Sequence, residues 1–163
     1  RSGNLESARQ AEHTLSSMRD SLATANPYWS KQVEVQRQEV AAWILASSSG
    51  AAKTGVPAAI TQMLSAANLE ESMDKDAVTP GAVVPAREML ADLLLRDQKP
   101  SEALTQYEAV LSIAPNRFNA LYGAAVSAEK AGDGGKASAY FRRLTESAHG
   151  DERPELADAR KNR

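Results

Sequence analysis

VPAREMLADLLLRDQKPSEALTQYEAVLSIAPNR, Val84–Arg117, is the stretch that decides the fold, because the residues after it repeat its pattern. FNALYGAAVSAEKAGDGGKASAYFRRLTESAHGD, Phe118–Asp151, follows at an offset of 34 residues. A period of that size marks helix–turn–helix units stacked one on the next. Small and large residues fall in matching columns. Ala91 stands over Ala125, Ala103 over Ala137, Tyr107 over Phe141 and Val110 over Leu144. Alanines at such positions let two helix backbones approach closely, and Leu90, Leu94, Tyr107 and Val110 fill the space between them.

The Ala-x3-aromatic step, Ala103 to Tyr107 and again Ala137 to Phe141, resembles the second helix of a tetratricopeptide repeat. In that family's Trp-x2-Leu-Gly-x2-Tyr pattern the first copy places Arg87, Leu90, Ala91 and Leu94, and the next copy places Leu121, Ala124, Ala125 and Ala128. Pro115 holds the family's terminal proline. His149 replaces it in the second copy, which suggests that the array is ending. The resemblance implies an all-α fold, a right-handed superhelix of antiparallel helix pairs with about eight helices.

Working outward, Gly3-Asn4-Leu5-Glu6-Ser7-Ala8 reads like the turn that opens a second helix, with the layout of Gly132-Asp133-Gly134-Gly135-Lys136-Ala137. Leu5, Ala8, Ala11, Leu15, Met18 and Leu22 keep helical spacing. Residues 1–24 are therefore expected to be the orphan second helix of a repeat with an exposed apolar stripe, the alternative being a free-standing N-terminal helix. Asn26-Pro27 caps a new helix, in which Trp29, Val33, Val40, Trp43 and Ile44 are expected to pack. Ser47–Gly55 reads as a mobile loop. Gly50 and Gly55 have the outer spacing of a phosphate-binding loop, but Val56-Pro57 stands where Lys-Ser/Thr is required.

Ile60, Met63, Leu64, Ala67 and Met73 outline the next amphipathic helix, with Ala59 and Met63 giving another Ala-x3-large step. Residues 26–78 thus form a lengthened helix pair. Glu70, Glu71, Asp74 and Asp76 at its end read as a solvated face rather than a divalent-metal site. Thr79-Pro80-Gly81 ends it, Pro85 begins the next helix, and Asn116 is the expected cap of the one after. The single domain, residues 1–163, then comprises the regular repeats 84–117 and 118–151 and a closing helix, 153–163. The segments Tyr28-Trp29, Gln32-Val33, Gln36-Arg37, Val78–Gly81, Pro85–Glu88 and Ala114–Phe118 resemble bacterial proteins in which such repeats form the C-terminal part of a longer chain.

Composition bounds the function. The chain has 163 residues, a net charge of −2, two histidines and no cysteine. Thiolate chemistry and cysteine–zinc sites are excluded, and the basic stripe of a nucleic-acid binder is missing. No apolar run approaches a membrane span. His13 and His149 lie in polar surroundings far apart in sequence, and no hydrolase, metalloprotease or dinucleotide fingerprint is present. No catalysis, metal or cofactor is expected. The charge and the lack of a span suit a soluble chain, cytoplasmic or periplasmic.

The resemblance places the family's groove positions at Glu88, Asp92, Leu95, Asn119, Tyr122, Val126 and Glu129. It implies protein–protein interaction, with the groove holding a segment of a partner protein. The groove's acidic residues either favour a partner bearing Lys or Arg or merely keep the surface solvated. Some members clamp a peptide's terminal carboxylate with Lys and Asn at set positions. Glu88, Asp92, Tyr122 and Val126 occupy those positions here, so that specificity is not implied. Tyr122 reads either as a partner contact or as packing between neighbouring first helices. A structural reading stands beside these, in which the exposed ends of the array pair with another chain.

Overall fold

A computed structural model describes residues 4–48, 55–73, 81–148, 150 and 153–162. Most of the expected Ser47–Gly55 loop falls outside these, as do Asp74, Asp76 and His149. The described residues form eight helices and no strand: α1 Leu5–Leu22, α2 Pro27–Ser48, α3 Val56–Ser72, α4 Ala86–Arg96, α5 Pro100–Ile113, α6 Phe118–Lys130, α7 Gly134–Ser147 and α8 Pro154–Asn162. The fold is all-α. The chain divides into two compact units, residues 1–93 and 94–163, and the boundary falls inside α4.

In the first unit α1 and α2 are antiparallel neighbours. Asn4 caps α1 by accepting from the Ser7 N–H at 3.1 Å, and Asn26 caps α2 by accepting from the Trp29 N–H at 3.4 Å. The turn between them brings Arg19 to Glu34 and Glu12 to Arg37. No residue of α1 is buried. Leu5, Ala8, Leu15 and Leu22 are half-buried, whereas Ala11 and Met18 are exposed. On its other side α2 packs against α3, through a seam of small residues. Ala42, Ala59, Ala66 and Ala67 are fully buried, and Met63 fills the space they leave. The Ala59–Met63 step thus does the same work as Ala103–Tyr107 and Ala137–Phe141, whose members are also buried.

Trp29 departs from expectation. It is 47% exposed, because its neighbour Ser30 takes the inward position and donates its hydroxyl to the Arg19 carbonyl at 2.9 Å. Turned away from that seam, the Trp29 indole meets the Tyr28 ring edge-on at 5.6 Å. Trp43 does pack, donating Nε1 to the Met89 sulfur at 3.4 Å. Glu70 and Glu71 are not merely solvated. Glu70 accepts from the Ala86 N–H at 2.9 Å and so caps α4 from α3, satisfying a donor that the helix itself leaves unpaired. Glu71 pairs with Arg87.

The second unit carries the repeat. The helices α5 and α7 run over Pro100–Ile113 and Gly134–Ser147, one period apart at both ends. The turns before them close identically. The Lys99 N–H donates to the Leu94 carbonyl and that of Asp133 to Ala128, both at 2.9 Å, while Gln98 and Gly132 donate to Leu95 and Glu129. Both turns need a left-handed residue, Gln98 at φ 61° and Gly132 at φ 85°. Consecutive helices from α5 to α8 pack against one another around Ala103, Tyr107, Leu121, Ala124, Phe141 and Leu144. The cap of α6 is Arg117, not Asn116. The Arg117 N–H donates to the Ala114 carbonyl at 3.1 Å, which encloses Asn116 in the turn and delays the helix by one residue. Finally α8 seats Leu156 and Ala159 in the core.

Candidate functional site

The residues expected to line a groove are distributed over both units. Glu88 and Asp92 belong to the first; Leu95 and the four residues of α6 belong to the second. Glu88 is only 2% exposed and offers almost no surface to a partner. Asp92 and Leu95 are half-buried. Asn119, Tyr122, Val126 and Glu129 recur every three or four residues and so share one face of α6. Asn119 and Glu129 are exposed, and Tyr122 and Val126 are half-buried.

The opposite face of α6 explains this presentation. Ala120, Leu121, Ala124, Ala125 and Ala128 are fully buried there, so amphipathicity alone turns the polar set outward. The apolar lower edge of Tyr122 still reaches inward, its ring meeting Phe141 edge-on at 6.2 Å. Its hydroxyl donates to Asp158 of α8 at 2.9 Å. Burial first, then that hydrogen bond and the charges of Asp158, Glu155 and Glu129, push the phenol up to about 12. Tyr122 is therefore a neutral donor surrounded by carboxylates at ordinary pH. The sequence reading missed Glu155 and Asp158; their spacing of three on the closing helix was the available signal.

A second ionic cluster ties α1 to α2. Arg37 donates to both oxygens of Glu34 at 2.8 Å and to Glu12 at 2.6 Å. Arg19 adds a bond to Glu34 at 2.9 Å. The hydrogen bonds from Arg37 lead in holding the Glu34 carboxyl down to about 2, and the bond to Glu34 leads in raising Arg37. With its cations already engaged by carboxylates, this cluster is suited to holding the helices together, not to catching an anion. Glu39 lies elsewhere on α2, where burial and then the charge of Glu70 push its carboxyl up to about 8.

His13 is exposed on α1. Among the described residues no three His, Asp or Glu side chains converge where a metal ion would be held, and no helix is long and apolar enough to cross a membrane. No protein-family model, curated protein or solved structure matches the sequence.

Proposed function

We propose that the chain is a non-catalytic scaffold of the tetratricopeptide type, and that the α6–α8 face of its second unit holds a Lys- or Arg-bearing segment of a partner protein. The observation carrying this reading is the ring of carboxylates at Tyr122: Asp158 bonded to its hydroxyl, with Glu155 and Glu129 close enough to act on it. A half-buried aromatic ring supplies contact area at low entropy cost, and the acidic rim orients a basic segment and speeds its approach more than it deepens affinity. Exposed Asn119 and Glu129 extend the same face. The matching turns and helix bounds one period apart support the family assignment.

The test is binding of the full chain to labelled basic and acidic peptides at low and high salt. A basic peptide is expected to bind with an affinity that falls as salt rises, and Glu129→Gln with Glu155→Gln should weaken it about tenfold. Equal affinity for both peptides overturns the acidic-face reading.

One observation favours a second reading, in which the chain associates with another copy or another protein through α1. That helix buries none of its 18 residues and leaves Met18 48% exposed. A molar mass that rises with concentration and returns to the monomer value in Met18→Asp supports it. A monomer at every concentration excludes self-association.

A further inference from the structure

Arg153 is held in an uncommon way for a surface cation. Its backbone opens α8: the carbonyl accepts from the Leu156 N–H at 3.0 Å and from the Ala157 N–H at 3.4 Å, and Pro154 after it restricts the backbone to extended conformations. Its side chain leaves α8 and lies over the ring of Phe118, the first residue of α6, with the guanidinium carbon 4.5 Å from the ring centroid. Glu155 and Asp158 follow it closely in sequence. Arg153 nevertheless forms no ion pair with a described carboxylate. An aromatic face is what holds this guanidinium.

That ring belongs to the α6–α8 face. Phe118 and Tyr122 are one turn apart on α6, so their side chains are neighbours on its surface. Both are half-buried, and Asn119 and Arg153 beside them are exposed. Asp158 is engaged at both oxygens, by the Tyr122 hydroxyl at 2.9 Å and by the Asn162 amide at 3.2 Å. Glu155, whose charge reaches Tyr122, has no side-chain partner among the described residues. A ring that seats a guanidinium thus stands beside a carboxylate left to receive one. A planar, weakly hydrated guanidinium can stack on a ring and still donate from its edge, whereas an ammonium has no flat face to stack. Cation–π contact at an exposed site is weak, so one cation can replace another there at little cost.

We propose that the Phe118 ring is an arginine subsite of this face, filled in the free chain by Arg153, and that an arginine of the bound segment displaces Arg153 from it. The inference rests on the acidic-face reading above and narrows the partner from a basic segment to an arginine-bearing one. Arg153 then acts as a competitor tethered at the site. It reduces the apparent affinity to the fraction of chains in which the ring is vacant.

The experiment titrates the full chain, at fixed salt, with two basic peptides that differ only in carrying arginine or lysine. Arg153→Gln should tighten the arginine peptide about two- to fivefold, the factor carried by an exposed cation–π contact, and the lysine peptide less. In a Phe118→Leu background, which keeps an apolar side chain at that position, the arginine peptide should lose this advantage. Equal tightening of both peptides, or the same gain without the ring, reduces Arg153 to a repelling charge and overturns the subsite. So does an unchanged affinity accompanied by a lower melting temperature, the mark of a clip that only docks α8. Each of these leaves the acidic face standing, whereas no binding of either peptide to any of the chains overturns both readings. Should Phe118→Leu fail to fold, the nitrogen-15 resonance of the Arg153 Nε in the wild type decides in its place. It should move toward that of a solvated arginine as the arginine peptide binds, and a resonance that stays fixed during binding overturns the displacement.

Discussion

The ring of Tyr107 on α5 occupies the space that a β-carbon on Gly123 of α6 would need. Glycine inside a helix is worth about 1 kcal/mol less than alanine, so admitting the ring comes at a cost in helix propensity. Gly123→Ala is expected to lower stability by about 1–3 kcal/mol through overpacking, despite the better helix former. In a Tyr107→Leu background the same change should cost less, a coupling that urea denaturation of the four chains would measure.

The register of the repeat makes a related prediction. Phe141 is 1% exposed and Ala103 is fully buried. Phe141→Ala should cost about 3–5 kcal/mol, and Ala103→Leu and Ala137→Leu about 1–3 kcal/mol each. Thermal melts that match the wild type in all of these would contradict close helix crossings at these positions.

The columns of small and large residues were legible in the sequence because periodicity records burial directly, and Leu90, Ala91, Ala103, Tyr107, Ala137 and Phe141 all lie in the core. Trp29 was not. Hydrophobicity states what a side chain gains by burial, whereas its helical phase beside Ser30 decides whether it is buried. The role of Glu70 was equally hidden, since a cap whose acceptor lies 16 positions away exists only once α3 and α4 have met. At the candidate site, the shared face of Asn119, Tyr122, Val126 and Glu129 follows from spacing alone. The bond between Tyr122 and Asp158 depends on how α8 docks, which no local pattern encodes. Glu88 shows the limit most plainly: a charged residue reads as surface until its neighbours close over it.

Gln98 and Gly132 occupy equivalent turns with positive φ, yet only glycine adopts that backbone without a steric penalty. Gln98→Gly should raise stability by about 0.5–1 kcal/mol, the relief of left-handed strain exceeding the added freedom of the unfolded chain. Gly132→Ala should lower it by about 1 kcal/mol, although nothing within 4 Å obstructs the new methyl group. The opposite signs, read from paired urea midpoints, isolate backbone conformation from packing.

Acid sensitivity should centre on Glu34. Its carboxyl is held down to about 2 from an ordinary 4.5, so its contribution is present above 4.5 and is lost as pH falls through about 2. The cluster is partly solvated, with side-chain exposures of 19% for Glu34 and 21% for Arg37. The effect is therefore set at about 1 kcal/mol after screening. Glu34→Gln should lower the urea midpoint at about pH 6, and the difference from wild type should shrink by about pH 3.

The cap on α4 also bears on the order in which the chain assembles. Asp133 serves α7 from the adjoining position, accepting from the Lys136 N–H at 3.0 Å, so that helix carries its own start signal. By contrast, α4 borrows its signal from Glu70 and gains it only after α3 and α4 have met. Starting a helix is the costly step, and contacts distant in sequence form late. An excised peptide spanning α7 should therefore show more nascent helix than one spanning α4, and α4 should join a nucleus that α2 and α3 have already begun.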